Sequence, residues 1–442
     1  MPILIKNGTL VTLNKRREVF RGDLLIEGQR IARIAKKISF QENPKNLQVI
    51  DATDQFVIPG LIQTHTHLCQ ILFRGCADDL PLLTWLKKRI WPMECGHTAK
   101  TLYASARLGL LEMQKLGTTT ILDMATVRHT ESVFRAVEES GMRYWGGKCL
   151  MDLKAYSGPL YEARKPALKE MRELIETWHQ KTDLINYAIC PRFAVSCSEE
   201  ILRDCADLQK EYGLIIHTHA SESKDEIALI KKRTGQLNVD YLHSLGLLNS
   251  KTVIVHGVHL TNRELLKMIK TNSPLVHCPS SNLKLASGIA PIHLYLKQGL
   301  KIGLGADGAP CNNTMDPFME MRLAALLQKP FFGPEAMPAQ AALEMATLGG
   351  AAVLGMEKDL GSLEVGKLAD VVTVDRSHPS VCTVENPDSA LVYSCSGRDV
   401  RDVVVNGRLT FKAQRPCFID EDLIIRQAKA SLKAIFKTMI PT

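Results

Sequence analysis

Eight short apolar, β-rich runs alternate along the middle of this chain with segments patterned as amphipathic helices. The runs are "FVIPGLIQT", "TTTILDM", "RYWGGKCLM", "INYAICPRF", "LIIHTHA", "TVIVHGV", "SPLVHCP" and "KIGLGAD". Between them lie stretches such as "TLYASARLGLLEMQKLG" and "SEEILRDCADLQKEYG". Regular alternation of strand and helix calls for a parallel sheet, because parallel neighbours need a crossover between them. Eight units over roughly 300 residues fit a closed (β/α)8 barrel. An open doubly wound sheet is the rival, but no glycine-rich phosphate loop follows the first run.

The ends of the chain carry a different pattern. Residues 1–57 hold "ILIKNGTLVTL", "DLLIEGQRIARI" and "QVIDATDQFVI", and residues 360–412 hold "LGSLEVGKLADVVTVD" and "DVRDVVVNGRLTF". Asn-Gly and Glu-Gly dipeptides between alternating apolar runs are hairpin signals. The expected architecture is therefore an α/β fold: a (β/α)8 barrel over 58–358, with a small β-sandwich assembled from 1–57 and 359–420. A terminal helical segment, 421–442, completes it.

Polar groups end the eight runs: His65 and His67, Asp123, Lys148, Arg192, His219, His256, His277 and Asp307. Active sites of such barrels lie at the C-terminal ends of the strands, so these groups are expected to gather at one mouth. Residues i and i+2 of a strand share a face, which sets His65 beside His67. Imidazoles and a carboxylate from separate strand ends can hold one divalent ion and leave a position for water. In "HTHASES", His219 stands three residues before Glu222, where the strand gives way to a loop. A carboxylate there can reach a substrate atom beside the ion. His217 shares the face of His219 and is expected deeper in the barrel, in a supporting role.

Bulk properties exclude other classes. The net charge is +8, spread without a dense Lys/Arg block, so no nucleic-acid arm is expected. No apolar run reaches membrane-spanning length, and the start "MPILIKNGTLVTLN" reads as a strand and not a signal peptide. Twelve cysteines without a C-x-x-C pair suggest reduced thiols and a cytoplasmic location. A homo-oligomer is expected. The chain also lacks the P-C-x-x-C element of the cytidine-type zinc deaminases.

The segments "PGLIQTHTH", "HTHASE", "VHGVHL", "HCPSSNLKL" and "GADGAPCNN" together resemble the metal-dependent amidohydrolases, over essentially the whole chain. The nearest branch resembles the deaminases of S-adenosylhomocysteine, 5'-methylthioadenosine and 5'-deoxyadenosine, with triazine chlorohydrolases and guanine or pterin deaminases nearby. The resemblance implies that His65, His67, His219 and Asp307 bind one divalent metal ion, Zn2+ or Fe2+. It implies Glu222 as proton shuttle, His256 beside the reactive water, Asp307 as a catalytic group, and Trp85 of "LLTWL" against the substrate. Relatives with two metals carry a carbamylated lysine on the fourth strand; Arg192 stands at that strand's end, so one metal is expected. The substrate side is mixed. "GADGAPCNNTMDPFMEMRLAALLQKP" resembles the adenosine and chlorohydrolase branches. Gln70 and the "PRF" of Arg192 and Phe193 resemble guanine deaminases, in which Arg192 would hold a purine carbonyl and Gln70 the base edge. In an adenosine-type site Arg192 would be free for ribose hydroxyls or a 5' substituent. The long loop "FRGCADDLPLLTWLKKRIWPME" is expected to cover a substrate larger than a free base.

Overall fold

The computed structural model describes residues 1–40 and 45–439. Residues 41–44 of the amino-terminal segment and 440–442 of the terminal one lie outside the described residues. Each of the eight apolar runs yields a parallel strand. In order they are Leu61–Thr66, Thr118–Met124, Arg143–Gly147, Ile185–Pro191, Ile215–Ala220, Thr252–His256, Leu275–His277 and Ile302–Leu304. The eighth strand pairs with the first (Leu304 with Gln63) and the fourth with the fifth (Ala188 with Ile215), which closes the barrel. All six residues of Ile215–Ala220 are buried, as expected of a strand covered on both faces.

Helices return the chain along the outside, and their ends follow local chemistry. Ser223 and Glu226 form a reciprocal cap at the start of Lys224–Thr234, and Thr261 and Glu264 do so for Asn262–Thr271. Gly141, Gly213 and Gly235 end three helices in the left-handed conformation, where a Cβ is unfavourable. The terminal helix Glu421–Met439 lies along Ala99–Lys115, tied by Lys115 to Glu421 at 2.6 Å and by Arg107 to Gln427 at 3.0 Å.

The two termini meet in a nine-stranded mixed sheet. Its hydrogen bonding runs without a break from Arg408–Lys412 through Val400–Val405, Val371–Asp375 and Gln55–Pro59 to Ile3–Val11, Val19–Glu27 and Arg30–Ala35. Asn406-Gly407 makes the expected hairpin, both residues at positive φ. Asn7-Gly8 does not. It lies inside the strand Ile3–Val11 as a register shift, with Asn7 at φ 64° and its N–H donated to Asp23 Oδ1 at 2.9 Å. A Cβ on Gly8 would come within 2.4 Å of Val57, so close backbone approach and not a turn explains this glycine. The run "FVIPGLIQT" is also two elements. Gln55–Pro59 belongs to the terminal sheet, and the chain crosses into the barrel at Gly60, whose N–H donates to Asp370 at 2.8 Å.

Candidate metal and catalytic site

The strand ends bring His65, His67, His219 and Asp307 together as a buried group whose candidate ligand atoms all lie within 4.8 Å of one another. Asp307 Oδ1 is 3.2 Å from His65 Nε2 and 3.3 Å from His67 Nε2. The remaining ring nitrogen of each histidine is used elsewhere. His67 Nδ1 donates to the Met124 carbonyl at 2.9 Å, His219 Nδ1 donates to the Arg192 carbonyl at 2.6 Å, and His65 Nδ1 meets His217 Nε2 at 2.8 Å. Such outer partners fix the tautomer and ring orientation of a ligating histidine. Three Nε2 atoms and a carboxylate converging in a buried pocket are a donor set suited to one divalent ion. His217, two residues before His219 on the fifth strand, is buried and contacts His65.

Electrostatics keep His65, His219 and Asp307 in ligating form. Burial holds His65 and His219 well below the usual imidazole value, so both are neutral. For His67 burial acts the same way, but the Asp307 carboxylate outweighs it and raises the group. Burial opposes the charge of Asp307, yet hydrogen bonds and charge from His65 and His67 hold its carboxyl well below the ordinary range. Two backbones here are at positive φ, His256 at 72° and Asp307 at 63°. Such conformations persist where the surroundings fix them and cluster at working sites.

Glu222 and His256 face each other across the cluster. Glu222 Oε2 is 3.4 Å from His256 Nε2, Ser287 donates to Glu222 Oε1 at 3.1 Å, and His256 Nε2 is 3.9 Å from Asp307 Oδ2. Burial and the nearby Asp307 charge push the Glu222 carboxyl up to about 8, so it carries a proton at neutral pH. It can therefore act as an acid, and with Asp307 it forms a pair of carboxyl groups whose environments push them apart.

A cavity opens onto these groups. Gln70, Trp85, Arg192, Phe193 and Glu222, the five residues expected to face the substrate, all line it, and Leu82, Leu86 and Leu285 add apolar walls. Trp85, Leu82 and Leu86 come from the long loop after the first strand, which here forms short helical turns over the mouth. Not every strand-end residue joins them. Asp123 sits on the second strand, accepting from Leu68 N at 2.7 Å, Thr66 at 3.1 Å and Tyr144 at 3.2 Å. Lys148 is buried against Glu170 at 2.6 Å and Glu162 at 2.9 Å, away from the ligand group. His277 is buried beside His256, and burial lowers it to about 3.

Arg192 departs from the expectation that an adenosine-type site would leave it free. Glu94 grips its guanidinium with two bonds of 3.1 Å and also accepts from Gln70 at 2.9 Å and Thr126 at 3.0 Å. Burial disfavours the charge of Glu94, but Arg192 more than compensates and lowers its carboxyl. Sequence reading missed Glu94. It lies in "IWPMEC", a charged residue in an apolar stretch of loop, and nothing in its spacing pointed to the barrel mouth.

Barrel, buried His/Asp group and facing carboxyl define a metal-dependent hydrolase. Residues 56–410 match the amidohydrolase family, and the chain belongs to it. A curated relative from Bacillus cytotoxicus, named 5-methylthioadenosine/S-adenosylhomocysteine deaminase, is 37% identical over 428 residues, covering 96% of this chain and 97% of the relative. A 5'-deoxyadenosine deaminase from Methanothermobacter thermautotrophicus is 39% identical over 413 residues, covering 93% and 94%. Among solved structures, an adenosine deaminase from Xanthomonas campestris with bound zinc matches at a TM-score of 0.90 and 28% identity, over 98% of each chain.

Proposed function

We propose that this chain hydrolyses the exocyclic amine of an adenine nucleoside modified at its 5' position. The substrate is of the 5'-deoxyadenosine, 5'-methylthioadenosine or S-adenosylhomocysteine type, and the products are ammonia and the inosine analogue. One observation carries this reading: the protonated carboxyl of Glu222 and the carboxylate of Asp307 flank the ligand group at one cavity, in a chain whose near full-length relatives bear those deaminase names.

His65, His67, His219 and Asp307 would hold one ion, zinc by preference and iron as the alternative. When bound, such an ion supplies a water acidified toward neutral pH. Asp307 takes the proton that the water loses on attacking the ring carbon. Glu222 gives its proton to the adjacent ring nitrogen, which gains electron density as the carbon becomes tetrahedral. His256 hydrogen-bonds the attacking oxygen, while Trp85 and Phe193 wall the ring plane. The carbon–nitrogen bond then breaks as the leaving amine receives the proton held on Asp307, and the new hydroxyl returns a proton to Glu222 as the carbonyl forms. All twelve cysteines are free, which supports a cytoplasmic setting, and no helix among the described residues is long and apolar enough to cross a membrane. We also read the protein as a homo-oligomer without a nucleic-acid partner.

A second reading has its own observation. Gln70, Glu94 and Arg192 form one buried network, with Gln70 and Arg192 on the cavity wall and Arg192 held by Glu94 as a fixed donor. That arrangement suits the carbonyl edge of an oxo-purine or pterin. Ammonia release from 5'-deoxyadenosine, S-adenosylhomocysteine and guanine separates the two. Turnover of the nucleosides is expected; turnover of guanine alone, abolished by Arg192→Ala, would replace the first reading by the second.

A further inference from the structure

The motif "HCPSSNLKL" has so far been a family resemblance with no task. In the fold it follows the seventh strand, and the short helix Pro279–Lys284 carries its serines and asparagine. Two consecutive side chains there, both buried, reach the two groups that flank the reacting water in the proposed mechanism. Ser281 donates its hydroxyl to Asp307 Oδ2 at 2.6 Å. Asn282 Oδ1 meets His256 Nδ1 at 2.9 Å.

We propose that Ser281 and Asn282 are positioning residues: Ser281 turns Asp307 so that Oδ1 serves the ligand group, and Asn282 fixes the tautomer of His256 so that Nε2 is an acceptor.

The first half follows from the lone pairs. Asp307 Oδ1 accepts from Gly308 N at 2.8 Å and faces the Nε2 atoms of His65 and His67. Oδ2 has Ser281 on one side and His256 on the other, at 3.9 Å. With the Ser281 hydroxyl in place the carboxylate cannot swing to exchange its oxygens without losing a short hydrogen bond to a charged acceptor, the stronger kind. The second half follows from donor chemistry. An amide oxygen can only accept, so His256 Nδ1 must carry hydrogen. Neutral His256 then presents a lone pair at Nε2 toward Glu222 Oε2, 3.4 Å away. His256 thus receives a hydrogen from water or from Glu222 and donates none. The Asn282 amide nitrogen is buried without a hydrogen-bond partner among the described residues. The contact to His256 is therefore made through the amide oxygen alone.

Only the kinetic arm of the test rests on the proposed deamination; the other two need no substrate. In the zinc-loaded protein, Ser281→Ala is expected to weaken zinc affinity by about 10- to 100-fold, the usual loss when a ligand's outer partner is removed. Chelator competition reads this, and wild-type affinity would overturn the Ser281 assignment. Spectra of ¹⁵N-histidine-labelled protein, with His256 identified by its substitution, are expected to place the proton on Nδ1. A proton on Nε2 would overturn the Asn282 assignment. In the kinetic arm, Asn282→Ala is expected to lower kcat by about 10- to 100-fold with KM within about twofold and zinc affinity unchanged. Asn282→Asp, which still accepts from Nδ1–H, is expected to restore most of kcat. Equal loss in both variants would mean a packing role and overturn the assignment. A wild-type enzyme inert toward every nucleoside would count against the deaminase reading alone, because the zinc and ¹⁵N measurements would still judge this one.

Discussion

The bottom and the mouth of the barrel each bury an arginine–carboxylate pair, and the two are built differently. At the bottom, Arg143 at the start of the third strand bonds Asp370 at 3.0 and 3.2 Å, joining the barrel to the terminal sheet. Asp370 also accepts from Asn406 N at 2.8 Å, and Arg143 reaches the Asn406 side chain at 3.0 Å. At the mouth, Arg192 and Glu94 pair as closely, but Arg192 stands on a cavity wall with Gln70, whose Oε1 has no hydrogen-bond partner among the described residues. A fully satisfied network specifies and holds the join between two layers. One left open toward a cavity is available to a ligand. The mouth also holds His256 and Asp307 at positive φ.

The largest effect that can test this contrast is loss of the ligand group. His65→Ala, His67→Ala or His219→Ala is expected to abolish metal binding and turnover while thermal unfolding stays cooperative. Elemental analysis should give one ion per wild-type chain and none in the variants; two ions per wild-type chain would refute the single site. Next, Glu222→Gln should keep the ion yet lower kcat by about 10² to 10⁴, because an amide cannot deliver a proton. Near wild-type kcat would remove Glu222 from the chemistry.

The two arginine pairs are separated by a third comparison. Asp370→Ala leaves Arg143 charged and unpaired in the interior, at a cost of about 3–5 kcal/mol in stability. KM should be unchanged for the folded fraction. Arg192→Ala should also destabilise, by leaving Glu94 unpaired, but it should in addition raise KM. If denaturant unfolding and steady-state kinetics gave the same pattern for both, the mouth pair would be mere scaffolding.

The smallest effect is in pH. Burial and Asp307 raise the Glu222 carboxyl to about 8, so the acid form predominates below that value and is lost above it. Turnover is expected to hold through neutral pH and to fall about tenfold per unit above about 8, as one deprotonation requires. A rate that rose through this range would assign Glu222 as a base.

Much of this was legible before folding. Alternation of apolar runs and amphipathic segments is a property of local spacing, and it gave eight strands in the observed places. The i, i+2 histidines and the residues closing each run were legible for the same reason, because strand geometry sets which face a side chain takes. Spacing also misled where two structures compete for one signal. Asn7-Gly8 carries the chemistry of a hairpin, yet packing against Val57 makes it a bulge. Lys148 closes a run as Asp307 does, but its chain length lets it turn to Glu162 and Glu170 instead of the cavity.

By itself, then, the sequence determined the barrel and the residues that close its strands, because both follow from periodicity over a few residues, while the choice of ligands among them came from the resemblance of its motifs. Only the tertiary structure decided who partners whom across the mouth. Glu94 meets Arg192 from 98 residues away, and Asn282 meets His256 from 26, through loops whose paths no local pattern encodes. Those pairings depend on where strand ends stand around a closed barrel. Closure is a property of all eight strands together, and no single stretch of chain contains it.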